Sequence, residues 1–171
     1  MGFQLSAGLL VALIASTAPA AEAPTEALGD TGHTLNFGVG GAAELELNGG
    51  QIQPGVNAFV EWEAIDEWLE FELGASALFS NGGVSVPVDL LAKKPFQLTR
   101  WAEFMVGLGP EVVPTFRGGH GQVAYGGEVA LDFMFWPTEH VGFSFEPEYD
   151  LLFQKGLPSG FGLSGGLLMG W

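Results

Sequence analysis

Phe143-Ser144-Phe145-Glu146-Pro147-Glu148 sets phenylalanine on one parity and serine or glutamate on the other. Successive side chains of a β-strand point to opposite faces, so this alternation sorts them into an apolar face and an acidic face. Leu35-Asn36-Phe37-Gly38-Val39 repeats the pattern near the other end of the chain. Working outward, eight such segments are found, at 33–48, 51–65, 68–80, 83–92, 96–113, 123–136, 141–153 and 161–171, the last ending on Trp171. Glycine recurs too often for stable helices. The pattern predicts an all-β chain: an eight-stranded, antiparallel, up-and-down transmembrane barrel.

The totals narrow the function classes. The chain has 171 residues, enough for one closed sheet, and no cysteine, so it offers neither disulfides nor thiolate chemistry. Five Lys and Arg against 20 Asp and Glu leave a net charge of −15. Nucleic-acid binding rests on basic side chains neutralising phosphates, and this balance excludes it.

Residues 1–20 read as an export signal. Ala7 to Ala15 is a short apolar run, and Ala18-Pro19-Ala20 fits a small-x-small cleavage site, although no Lys or Arg precedes the run. About 9 apolar residues cannot span a bilayer, which needs about 20. A polar lead-in over 21–32 would then precede a barrel over 33–171.

Turn chemistry supports the strand count. Asn81-Gly82 is a two-residue turn signal that sets Phe79 opposite Val84. Gly49-Gly50 is expected to set Leu47 opposite Ile52, and Asp66-Glu67 to join the second and third strands. The remaining connections are expected at Lys93-Lys94-Pro95, 114–122, 137–140 and 154–160. Each hairpin register puts apolar against apolar, as a one-residue slip would not.

The polar face decides which side is inside. Between its acids it carries Gly38, Gly40, Gly74, Gly107, Gly126, Gly142, Gly162 and Gly166, with Ser76, Ser144 and Ser164. Glycine weakens a solvent-facing strand, whereas small residues suit the cramped interior of an eight-stranded barrel. The apolar face, with Phe37, Val39, Val60, Leu73, Val106, Leu131, Phe145 and Leu167, then meets lipid. Trp62, Tyr149 and Trp171 lie toward strand ends, where aromatic girdles form. The alternative is a soluble, lipocalin-like periplasmic barrel with the faces exchanged.

The export signal, the eight strands, and a terminal aromatic preceded by Met169, Leu167 and Leu163 at period 2 resemble small Gram-negative outer-membrane barrels, of the OmpA membrane domain, OmpX and OmpW kinds. Val88-Asp89-Leu90-Leu91, Lys93-Lys94-Pro95-Phe96, the Glu103–Glu111 stretch and Leu131 to Pro137 are similar to an uncharacterised family of proteobacterial outer-membrane barrel proteins, over roughly 84–171. The resemblance implies residence in the cell outer membrane among lipid and lipopolysaccharide. It also implies that Trp171 occupies the position of the signal read by the barrel-assembly machinery, and it implies no activity.

Fourteen acids share the inward parity: Glu44, Glu46, Glu61, Glu63, Glu70, Glu72, Asp89, Glu103, Glu111, Glu128, Asp132, Glu146, Glu148 and Asp150. Charge facing lipid is costly, so the one-sided distribution is first a folding result. None of the five basic residues is assigned to the inward face. Glu63 is expected opposite Glu70 and Glu61 opposite Glu72, and like charges this close disfavour joint ionisation unless a cation or water intervenes. Glu61, Glu63, Glu70 and Glu72 are therefore the candidate ligands for a divalent cation, which favours clustered carboxylate oxygens. Glu146, Glu148 and Asp150, near Glu128 and Asp132, form a second acidic group. Glu44 and Glu46 also face the lumen. An enzyme acting on lipid or lipopolysaccharide would need a nucleophile beside a base. His140 and Ser144 share a parity but lie roughly 13 Å apart along a strand. His33 and His120 sit at a strand start and in a loop, so no catalytic residue and no cofactor are assigned. The expected role is structural, or concerned with small solutes or cations.

Overall fold

Period-2 alternation builds a closed sheet in the computed structural model, which describes residues 34–47, 49–153 and 159–171. The export signal and lead-in expected over 1–32 lie outside the described residues. Among those described there are nine strands: β1 (Leu35–Glu46), β2 (Ile52–Ile65), β3 (Leu69–Ser80), β4 (Gly83–Ser85), β5 (Val88–Thr99), β6 (Ala102–Arg117), β7 (His120–Phe135), β8 (Val141–Leu152) and β9 (Gly160–Gly170). All pairings are antiparallel: β4 and β5 do not pair with each other but each pairs with both β3 and β6, the other strands pair with their chain neighbours, and β1 also pairs with β9, which closes the ring.

β4 and β5 occupy one place in the wall, so the barrel has eight strand positions. Ser85 faces Thr115 and Val88 faces Val112, so the same register holds on either side of the break. The interruption falls at Val86-Pro87, where proline has no N–H for the ladder. The gap is bridged, because the Val86 N–H donates to the Pro114 carbonyl (2.8 Å) and the Ser76 N–H to that of Pro87 (3.0 Å).

The exterior of the wall is dominated by apolar side chains. Val56, Leu73, Leu108, Val129, Phe143, Leu163 and Leu167 are exposed, while Glu61, Glu72, Lys93, Glu111, Glu128 and Asp132 are buried. That is the inverse of a water-soluble barrel and overturns the lipocalin-like alternative, since uncovered apolar area on this scale is not kept in water. On the outer surface Phe96, Phe104, Phe133 and Phe145 form a ladder across four strands, with centroid spacings of 6.0, 4.9 and 6.4 Å. Trp62–Phe71 and Trp101–Phe135 pairs continue this belt. It lies near the lower rim, defined here as the end where β1 begins and β9 ends.

Several expected connections differ. Lys93-Lys94-Pro95 is not a turn, because β5 runs through it and the chain reverses between Thr99 and Ala102. Pro95 is tolerated because pairing with β3 ends at Glu70↔Lys93, leaving Pro95 paired to β6 alone. The expected loop at 114–122 is almost all strand, with Arg117 facing His120. Its turn is Gly118-Gly119, with φ of 58° and 82°, the left-handed pair that a tight hairpin requires. Leu45, not Leu47, faces Ile52, because a longer turn closed by the Gly50 N–H to the Glu46 carbonyl (2.8 Å) replaces the two-residue turn. A two-residue shift preserves the faces. Asp66 to Trp68 forms a three-residue loop with Glu67 at φ 53°, and a register shift between Glu63 and Ile65 absorbs the extra residue. Most of the 154–160 connection lies outside the described residues.

Candidate functional site in the barrel lumen

Small residues on the inward parity make room for long charged ones. Gly107 faces Lys93 from β6, and a Cβ there would stand 2.9 Å from the lysine Cγ. Gly74 faces Asp89 from β3, and a Cβ there would lie 2.7 Å from Asp89 Oδ2.

In the lower lumen, Lys93 is 0% exposed and sits among four carboxylates from four strands. Its Nζ donates to Glu72 Oε2 (2.6 Å), Glu146 Oε2 (2.7 Å) and Asp132 Oδ2 (3.0 Å), which uses all three ammonium hydrogens. Glu61 Oε2 stands farther off at 3.5 Å, while Glu61 Oε1 accepts from Asn36 Nδ2 at 3.1 Å. The ammonium also lies 5.7 Å from the centre of the Phe59 ring. Phe59 packs with Met105, Met134, Trp136 and Leu168 in a buried apolar cluster, with Met105, Met134 and Leu168 near the lower ends of their strands and Trp136 just past the end of β7. Together the ion cluster and the apolar plug fill this part of the barrel.

Above this lies a second acidic tier. Glu128 faces Asp150 across β7 and β8, and Asp89 faces Glu111 across β5 and β6. Higher still, a cavity of about 520 Å³ opens between the hairpin ends, lined among others by Glu44, Glu46, Gln53, Arg117, His120 and Gln122. There Gln53 Nε2 donates to Glu46 Oε1 at 2.5 Å.

The four carboxylates expected around one cation are divided. The registers Glu61↔Glu72 and Glu63↔Glu70 are as expected. Glu61 and Glu72, however, share the Lys93 ammonium, and Glu63 Oε1 accepts from the Glu67 N–H (2.7 Å) at the lower rim. The carboxylate oxygens close enough to share one ion are those of Glu61, Glu72 and Asp132, of Glu111, Glu128 and Asp150, and of Glu128, Glu146 and Glu148. Glu63 and Glu70 belong to none of these groups.

Lys93 on the inward face is a correction to the expectation of a lumen without cations. The signal for it was present, because Lys93 continues the parity of Asp89 and Leu91. Reading Lys93-Lys94-Pro95 as a turn concealed it. Lys94, one residue on, points outward, where its Nζ donates to the Glu67 carbonyl (2.8 Å) and lies 5.8 and 5.7 Å from the Trp68 and Phe96 ring centres.

Solved structures of the same architecture exist. The chain superposes on Neisserial surface protein A with a TM-score of 0.64 at 13% identity, covering 80% of this chain and 96% of that one. The outer membrane protein OprG from Pseudomonas aeruginosa gives 0.62 at 13% identity, covering 82% and 98%. The N-terminal β-barrel domain of Pseudomonas aeruginosa OprF gives 0.57 at 11%, covering 78% and 97%. The fold is that of the small outer-membrane barrels. No protein-family model matches the sequence, and no curated protein does either.

Proposed function

We propose that this chain is an integral barrel of the Gram-negative outer membrane with a closed, acidic, cation-facing lumen, and that its role is structural rather than that of an open solute pore. In this reading residues 1–20 direct export and Trp171 serves the barrel-assembly machinery. The lower rim faces the periplasm, and the 520 Å³ cavity opens to the outside. The single observation that carries the reading is the Lys93 cluster. A fully buried ammonium, hydrogen-bonded to Glu72, Asp132 and Glu146 above a plug of Phe59, Met105, Met134, Trp136 and Leu168, sets packed side chains from several strands across the lower lumen. Side chains commonly fill eight-stranded barrels in this way.

Planar-bilayer recording on the detergent-folded protein tests it. The closed lumen gives no discrete conductance steps. Reproducible steps, carried by protein that also has the heat-modifiable electrophoretic mobility of a folded barrel, would overturn it.

A further inference from the structure

We propose that Glu111, Glu128 and Asp150 bind one Ca²⁺ ion in the upper lumen. This deepens the reading of the lumen as cation-facing and rests on it.

The three side chains come from the adjacent strands β6, β7 and β8, and all three are buried. Glu128 stands directly opposite Asp150, while Glu111 stands opposite Gly126. Because position 126 has no side chain, the Glu111 carboxyl can occupy its space. A Cβ there would come within 3.2 Å of Glu111 Oε2 and 2.8 Å of the Leu151 carbonyl. One oxygen from each of the three carboxylates lies within 4.8 Å of the others. Oxygens on opposite sides of a Ca²⁺ ion, at about 2.3–2.6 Å from it, stand about 4.6–5.2 Å apart. The spacing fits one shell.

Hydrogen bonding gives an independent reason. Glu111 is 3% exposed, yet its Oε2 has no hydrogen-bond partner among the described residues. Asp89 Oδ2, on the residue facing Glu111, is in the same position. A buried carboxylate oxygen without a donor is costly. No cationic donor is to spare, because below the upper cavity the Lys93 ammonium is the only inward positive charge among the described residues, and its three hydrogens are committed to the lower tier. Water could donate to these oxygens but would leave their charges facing one another, whereas a hard divalent cation meets both requirements. Room for a coordinating water adjoins one of the three ligands, Glu128. A pocket of about 20 Å³ beside Glu128, bounded by Asp89, Glu146 and Glu148, is large enough for one coordinating water. Val113 and Ala124, two residues from Glu111 and Gly126, line the open cavity above.

The test is calorimetric titration of CaCl₂ into the full barrel, folded in detergent after chelator treatment, with heat-modifiable mobility checked for each protein. The expected result is one Ca²⁺ per chain, with E111Q and D150N each weakening it at least about tenfold, since affinity follows the number of charged ligands. Glu63→Gln, at the lower rim, should leave it unchanged. No uptake by folded wild type at up to about 10 mM, beyond the weakest extracellular Ca²⁺ modules, overturns the proposal. Uptake that both E111Q and D150N leave intact also overturns it. If one variant fails to fold, the wild type and the other decide. Discrete bilayer conductance with an intact titration would remove the closed-lumen reading and leave the site standing.

Discussion

Lys93 Nζ lies 2.6 Å from Glu72 Oε2, inside a barrel whose lining is otherwise dominated by acids. The two residues sit on neighbouring strands, with Leu91 rather than Lys93 directly opposite Glu72, so the contact runs diagonally across the β3–β5 ladder. The lysine stem leans along the wall and carries the charge to where Asp132 and Glu146 arrive from β7 and β8. One side chain thereby ties together strands from opposite parts of the ring.

Lys93→Met should therefore cost about 3–5 kcal/mol, the usual loss when one member of a buried ion cluster is removed and its partners remain. Glu61→Gln should change stability far less, because Glu61 stands outside the three ammonium hydrogen bonds and an amide can still accept from Asn36. Urea unfolding in lipid vesicles measures both, and equal losses would contradict the hydrogen-bond assignment.

Gly40→Ala and Gly41→Ala should separate sharply although they are neighbours in β1. A Cβ at 40 would run into the Gly165 carbonyl and stand 2.6 Å from Gly166 Cα, whereas at 41 it meets nothing within 4 Å. Overpacking against backbone costs about 1–3 kcal/mol or more. The first variant should lower the yield of heat-modifiable barrel, and the second should leave it unchanged.

Val129→Arg should destabilise the barrel by about 2–4 kcal/mol if its site lies near the bilayer midplane. Val129 is 51% exposed on the apolar face. Reversible unfolding from vesicles gives the difference, and a change within error would place position 129 outside the apolar band.

Trp171→Ser should slow assembly by the barrel-insertion machinery, with Trp171→Phe close to wild type. The Trp171 backbone donates to the Leu35 carbonyl (3.0 Å) and accepts from the Thr34 N–H (2.9 Å), so these bonds survive either change and only the aromatic side chain is tested. Folding rates into vesicles with and without the machinery should separate recognition from stability.

Much of the wall was legible because its physics is local. Alternation at period 2 is a property of single strands, and Asn81-Gly82 names its own turn. The Glu61↔Glu72 register matches the expectation from a two-residue Asp66-Glu67 turn because the shift between Glu63 and Ile65 absorbs the loop's extra residue. Proline and glycine runs both read as stronger breaks than they are. Lys93-Lys94-Pro95 and the glycine-rich 114–122 stretch read as breaks, yet both are largely strand: Pro95 sits where the neighbouring rung has ended, and only Gly118-Gly119 turns the chain. The Gly49-Gly50 turn slipped by two residues, which parity cannot detect.

What the sequence by itself determined is which residues face lipid and which face the lumen, because that depends only on neighbours along a strand. The tertiary structure alone decided which lumen residues meet. Glu61, Glu72, Lys93, Asp132 and Glu146 are scattered over a separation of 85 residues, from 61 to 146. They converge because closing the ring brings five wall strands around one narrow axis. The same closure leaves Glu111, Glu128 and Asp150 together with no ammonium to share.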